Sequence, residues 1–180
     1  MLKNKGMSKA ASLHKVIPDN ARPFILKGLA LVIGWNLLYK LWLGPIGIPD
    51  AQLTSAVQYG TAKLLDLFIK ATWVGNSVYI NGVESVTIAP QCNGLELMVL
   101  YIGFILCIPT NWRRMLLFSL AGSVVIYILN VIRCAVLAEM FYTHHYLTDF
   151  AHHYAFKLAI YGVVFYGWVL YAKNAFRNAA

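Results

Sequence analysis

The chain has 180 residues, of which 59% are hydrophobic and 12% are charged. This composition excludes an ordinary soluble protein and predicts an integral membrane protein of one domain. The formal charge of +8 does not predict nucleic-acid binding, because the basic residues are grouped at the ends of apolar segments rather than along one face. Three cysteines without a CxxC pair argue against a disulfide framework.

Four segments of the chain are apolar enough and long enough to cross a bilayer. They follow a basic arm, residues 1–22, which we expect in the cytoplasm, and they belong to a single transmembrane domain over residues 23–180. The first apolar segment lies behind that arm and has full transmembrane length, so no cleavable secretory signal is predicted. The four segments are 24–43, 95–108, 115–141 and 154–172.

Between the first two apolar segments, residues 52–73 predict an amphipathic helix and residues 77–88 predict a β-hairpin. Apolar residues recur at helical spacing in the first range, which is typical of a helix lying on the membrane surface, although a fifth span packed on protein is the alternative. In the second range, Asn81-Gly82 separates two β-branched runs and predicts a two-residue turn.

The predicted fold class is an all-α membrane protein. It is a bundle of about four transmembrane helices, or five if 52–73 spans, with an interfacial helix and a small outward β-hairpin.

The distribution of lysine and arginine predicts the orientation of the chain in the membrane. Basic residues precede the first span, Arg113 and Arg114 lie between the second and third, and Lys173 and Arg177 follow the fourth. The positive-inside rule therefore places both termini in the cytoplasm, and the hairpin and the loop 142–153 outside. We expect a multi-pass protein of the cytoplasmic (inner) membrane with its site toward the outer face.

Reactive side chains that are far apart in the sequence are predicted at one depth, near the outer edge of the membrane. Arg133 lies about 27 Å from the inner end of the third span at about 1.5 Å per residue, in a hydrocarbon core about 30 Å thick. Cys92 directly precedes the second span, and the pair His152-His153 lies at the outer end of the fourth. The sequence therefore predicts a site at which these side chains converge.

The residue types at this site fit thiol chemistry. A catalytic thiol needs thiolate character, which a nearby cation, a histidine or a helix N-terminus provides. Cys92 comes just before a predicted helix, Arg133 can stabilise the thiolate or an oxyanion, and His153 or His152 can move the proton. Asn130, one turn before Arg133, is predicted to hold the guanidinium in place. The alternative for Cys92 is an unreactive small side chain.

Two carboxylates have both a functional and a structural interpretation. Glu96, one turn after Cys92, can orient the thiol or bind substrate, but an acidic residue in a first helical turn also complements the helix dipole. An arginine inside an apolar run normally has a partner, so Arg133 can instead form a structural pair with Glu96 or Glu139, or extend toward the outer headgroups.

The histidines of the outer loop raise the alternative of a metal- or haem-binding redox protein. Two pairs, His144-His145 and His152-His153, lie in this loop, and Asp149 or Glu139 would have to complete the ligand set. No spacing of the HExxH type is present. We therefore predict no metal and no cofactor.

Three blocks of the sequence together resemble a known family. Residues 90–98 (PQCNGLELM), residues 130–133 (NVIR) and the pair His152-His153 are similar to the Cys, Asn-x-x-Arg and His blocks of exosortases and archaeosortases. The blocks occur in the family's order over residues 85–168, and the chain especially resembles the short forms found in Bacteroidetes.

The resemblance implies a membrane cysteine protease or transpeptidase. The implied partner is a membrane-anchored protein substrate with a C-terminal sorting signal, made of a short motif, a transmembrane helix and a basic cluster. Cys92 is the implied nucleophile, Arg133 the stabilising cation and His153 the base. His153 is preferred over His152 because Tyr161 follows it at a spacing that the family often shows, although Lys157 replaces the family's usual glycine.

A noncatalytic function is the leading alternative. The chain would then be a membrane assembly or scaffold protein for polysaccharide or surface-protein export, with Arg133 and the histidines in structural roles. This interpretation predicts that Cys92→Ser leaves function intact. In either case the lipid bilayer is a partner, and a short family member can depend on a further partner protein.

Overall fold

The computed structural model describes residues 22–108 and 110–177, so the predicted basic arm lies outside the described residues except for Arg22. The main helices of the described part are α1 (Arg22–Leu38), α2 (Asp50–Asp66), α3 (Leu95–Cys107), α4 (Trp112–Tyr142) and α5 (Phe156–Arg177). Short turns extend two of them. A π-helical turn (Tyr39–Leu43) and a helical turn (Gly44–Ile46) follow α1, whereas a helical turn (Thr148–Phe150) and a π-helical turn (Ala151–Ala155) precede α5.

Three helical segments of the described chain are long and apolar enough to cross a membrane: Arg22–Ile46, Trp112–Tyr142 and Thr148–Lys173. The apolar helix α3 is shorter, and its 13 residues extend about 20 Å, less than a hydrocarbon core of about 30 Å. It packs against α1, α4 and α5, so it lies among the longer helices. Each predicted apolar segment is therefore a helix, which confirms the all-α membrane class. The predicted orientation stays a prediction.

Helix α2 corresponds to the predicted amphipathic helix but ends earlier than expected. The sequence predicted a helix over 52–73, whereas α2 ends at Asp66 and residues 71–73 belong to a strand. Its apolar stripe is explained by packing on protein, because Val57 and Leu65 are buried in one core with Val131 of α4. Helix α2 is not among the segments of membrane-crossing length in the described ranges.

The strands form a small antiparallel sheet, β1 (Ala71–Val74), β2 (Ser77–Ile80) and β3 (Val83–Thr87), in the order β1-β2-β3. The predicted hairpin is β2-β3, and Asn81 and Gly82 both have positive φ, 51° and 83°, as this turn requires. Exposed polar side chains connect β2 and β3. Glu84 accepts hydrogen bonds from Ser77 Oγ at 2.6 Å and Thr87 Oγ1 at 3.0 Å, and these donors lower the pKa of its carboxyl group.

A second core holds α3, α4 and α5 together around the ring of Tyr101. This ring lies between two glycines. A Cβ on Gly122 of α4 would be 1.9 Å from Tyr101 Cε1, and a Cβ on Gly167 of α5 would be 3.1 Å from Cε2. The ring cannot move away from one helix without approaching the other, so both glycines set the spacing of these helices.

We expect Gly122→Ala to lower the thermal unfolding midpoint of the detergent-solubilised protein. The added methyl group overpacks a filled core, which typically costs about 1–3 kcal/mol. Gly162→Ala in α5 is the matched control, because no atom lies within 4 Å of the added Cβ there and alanine favours a helix over glycine by about 1 kcal/mol. Equal midpoints for the two variants would contradict the packing described.

Candidate active site

A cavity of about 450 Å³ lies at one end of the helix bundle, where three distant parts of the chain meet. Cys92 enters it from the segment before α3, Arg133 from α4, and His152 from the π-helical turn before α5. The structure therefore brings together three of the side chains that the sequence predicted at one depth. Further lining residues are Tyr39, Asp50, Asn93, Glu96, Asn130, Lys157 and Tyr161.

Cys92 is half-buried at the end of a 3-10 turn (Pro90–Cys92), next to the N-terminal end of α3. Two residues make the connection. Gly94 is the N-cap residue of α3 and has a φ of 87° that favours glycine. Asn93, just before it, accepts a hydrogen bond from the Leu95 backbone N–H with its Oδ1 at 2.8 Å. The positive end of the α3 dipole therefore directly follows the turn that carries Cys92.

Asn130 supports the thiol-bearing turn, which differs from its predicted role. The sequence predicted that it holds the Arg133 guanidinium, but its Nδ2 donates a hydrogen bond to the Cys92 carbonyl oxygen at 2.7 Å, and none joins it to Arg133. The side chain is 1% exposed. A Cβ on Gly94 would lie 3.2 Å from Asn130 Nδ2, so the glycine also allows this close approach.

Arg133 reaches the cavity without a structural partner in the described part of the chain. Its side chain is half-buried, and its Nε is buried with no hydrogen-bond partner among the described residues. The alternative pairs with Glu96 and Glu139 are not formed, and both carboxylates are exposed. Glu96 lies in the first turn of α3 and lines the cavity. The guanidinium is therefore available to a ligand.

The two adjacent histidines occupy different environments. His152 is half-buried and lines the cavity, and its Nδ1 is buried without a hydrogen-bond partner in the described ranges. His153, which the sequence analysis preferred, is exposed and does not line the cavity, and its Nδ1 lies 3.0 Å from the Asp149 carbonyl oxygen. The cationic side chains of Arg133 and Lys157 line the same cavity as His152. The placement therefore favours His152 as the residue that faces a substrate.

Several polar residues that line the cavity were not predicted as site residues from the sequence. Tyr39 and Asp50 come from the end of the first span and the start of α2, and Asn93 directly follows Cys92. Lys157 was noted only as a departure from the family pattern. An Asn-Gly pair after a cysteine and an aspartate at a helix start are common features, so neither stands out in the sequence. Their importance depends on contacts between residues far apart in the chain.

The outer loop does not assemble a set of metal ligands among the described residues, where no group of three or more His, Cys, Asp or Glu side chains is placed to hold a metal ion. His144 is exposed with a φ of 50°, and His145 Nδ1 accepts a hydrogen bond from the Leu147 backbone N–H at 3.2 Å. This first histidine pair is therefore part of the loop's own turn.

Comparison with models of known protein families gives a match over most of the chain. The model of the transmembrane exosortase family matches residues 10–173, which includes every cavity residue described above. No curated protein and no solved structure shows significant similarity to the chain.

Proposed function

This chain belongs to the transmembrane exosortase family, and we propose that it is a membrane cysteine peptidase or transpeptidase. Its proposed substrates are exported surface proteins, from which it cleaves the C-terminal sorting signal. The protein is a multi-pass membrane protein. The proposed location of its site is the outer face of the cytoplasmic membrane, in agreement with the positive-inside distribution of its basic residues.

One observation carries this proposal. A thiol, a guanidinium and an imidazole from three separate elements line a single cavity. They are the nucleophile, the oxyanion donor and the proton acceptor that cleavage of a peptide bond by a thiol needs.

The proposed reaction begins with transfer of the Cys92 proton to His152. The thiolate sulfur attacks the substrate carbonyl carbon, a C–S bond forms, and the carbonyl oxygen becomes an oxyanion that the Arg133 guanidinium stabilises. The C–N bond then breaks, and His152 returns its proton to the departing amine. The resulting thioester at Cys92 reacts with water or with an acceptor amine, which releases the product and restores the thiol.

The arginine offers the test of this proposal in cells. We expect Arg133→Ala to slow processing by roughly 100- to 1,000-fold, the typical loss when one oxyanion donor is removed. The measurement is mass spectrometry of the C-terminal peptides of membrane-anchored proteins, in cells that carry only the variant. Proteins ending in an apolar helix and a basic tail should keep that tail.

A second arginine on the same helix provides the control. Arg113 is exposed at the opposite end of α4, where its guanidinium lies 5.6 Å from the Trp112 ring centroid, far along the helix from the cavity. Arg113→Ala should leave processing unchanged. Intact processing in both variants would count against a peptidase with Arg133 in its site.

A further inference from the structure

We propose that Asp50 is a positioning residue for this site, acting through Asn93 on the turn that presents Cys92. The inference rests on the proposed function, because it concerns the alignment of the same thiol. It extends that function to a residue 42 positions before the cysteine, on a helix that carries none of the three reacting groups.

Asp50 is buried, and both of its carboxylate oxygens are used. It is 6% exposed at the first position of α2. Its Oδ1 accepts a hydrogen bond from Asn93 Nδ2 at 2.8 Å, and its Oδ2 accepts one from Tyr39 Oη at 2.6 Å. Hydrogen bonds to a charged acceptor are about twice as strong as neutral ones, and the N-terminal end of α2 also favours the negative charge.

Asn93 transmits this contact to the catalytic turn, and its amide has one orientation. Its Oδ1 accepts from the Leu95 backbone N–H at 2.8 Å, so its Nδ2 must be the atom that faces Asp50. A flipped amide would direct its donor at the Leu95 N–H and its oxygen at the carboxylate. The residue is 1% exposed, so water cannot compensate for either mismatch.

The turn containing Cys92 is thus held from two sides. Asp50 holds Asn93 from α2, and Asn130 holds the Cys92 carbonyl oxygen from α4. The Tyr39 hydroxyl connects the same carboxylate to the end of the first span. The Asp50 carboxylate is hydrogen-bonded to Asn93, the residue after Cys92, and not to Cys92 itself. The position of the Cys92 sulfur relative to the N-terminal end of α3 nevertheless depends on Asp50, because Asn93 belongs to the same turn.

A reciprocal exchange of side chains tests this role. Asn93→Asp replaces the donor that faces Asp50 with a second carboxylate, so the contact becomes repulsive. Adding Asp50→Asn restores this hydrogen bond between the two side chains. The Thr54 hydroxyl, 3.3 Å from Asn93 Nδ2, can donate to the new carboxylate, and the long contact to the Asp50 carbonyl oxygen at 3.4 Å is lost in both variants. The new amide donates to the new carboxylate and accepts from Tyr39, while the other carboxylate oxygen still accepts from the Leu95 N–H. The measured quantity is the rate at which a membrane-impermeant maleimide labels Cys92 across pH, with Cys107→Ala and Cys134→Ala present throughout.

We expect Asn93→Asp to slow labelling at neutral pH by about tenfold or more, the scale set by losing a buried charge-assisted hydrogen bond, and to alter the pH profile. The double exchange should recover most of the rate. If the single variant does not accumulate, the double exchange is compared directly with the parent. A wild-type rate and pH profile in Asn93→Asp, or a folded double exchange as slow as the single variant, would overturn the proposal.

The matched control is a buried polar residue on the same helix. Gln58 is 2% exposed, and its Nε2 donates to the Ser77 carbonyl oxygen at 3.1 Å in the sheet. Gln58→Met should lower thermal stability and leave Cys92 labelling unchanged. Equal slowing in this variant would mean general loosening and would also overturn the role of Asp50. Maleimide labelling reports on the Cys92 thiol and does not require peptide cleavage. The test of the positioning role can therefore fail while the proposed peptidase function stands, and the reverse also holds.

Discussion

Replacing Cys92 with serine is expected to abolish peptide cleavage, lowering the rate by roughly three to six orders of magnitude, the range seen when a nucleophile is removed. Serine keeps the size of the side chain but not the thiolate, which is the reactive form of cysteine. The measurement is release of the C-terminal fragment from a membrane-anchored precursor by reconstituted protein. A thioester adduct, detected by its sensitivity to hydroxylamine, should form with the parent protein and not with the variant.

Cys107→Ser is the control for this substitution. Cys107 lies at the far end of α3, about 20 Å along the helix from its start, and it does not line the cavity. This variant should cleave at the parent rate. Normal cleavage by Cys92→Ser would remove the peptidase proposal and favour the scaffold interpretation, which has no need of a nucleophile.

Replacing His152 with alanine is expected to cost more than replacing its neighbour. Loss of a general acid and base typically lowers the rate by about 100- to 10,000-fold, and only His152 faces the cavity. His153→Ala removes an exposed ring and should have little effect, as for most surface substitutions. The measurement is the cleavage rate of both variants. Added imidazole should partly restore His152→Ala, because a small base can enter the emptied volume.

The opposite order of effects would be informative. If His153→Ala were the slower enzyme and imidazole failed to restore His152→Ala, the resemblance-based choice of His153 would be right. The histidine that lines the cavity in this structure would then not be the one that acts during cleavage. Equal and large losses in both variants, with reduced thermal stability, would indicate that the pair holds the π-helical turn in place.

The long elements could be predicted because their signals are local. A run of apolar residues needs no distant partner to identify a span, and Asn81-Gly82 specifies its hairpin turn through backbone preference alone. Strand β1 was missed for a physical reason. Ala71 continues the apolar spacing of α2, so it was assigned to the helix, whereas its backbone pairs with Ile80 across the turn at Gly75. Strand pairing of this kind depends on tertiary context.

The site was predictable in part. Depth along a helix follows from counting residues, which is why Cys92 and Arg133 were expected near each other. The contact between Asp50 and Asn93 joins residues 43 positions apart, and no periodicity indicates it. The choice between the histidines rested on the spacing from His153 to Tyr161, which the family often shows. A spacing in the sequence does not reveal which ring faces the cavity, because the turn at Ala151–Ala155 is π-helical.

The π-helical turn also affects how this chain should be aligned with its relatives. The cavity is lined by Tyr161, by Lys157 four positions earlier, and by His152 five positions before that. Stepping back from Tyr161 in fours arrives at His153 instead. Some relatives can have this π-helical turn while others continue as a regular α-helix. A gap-free alignment of two such relatives therefore pairs residues whose side chains point in different directions. Equivalent histidines in such relatives would differ by one column, so their correspondence has to be established from helix geometry.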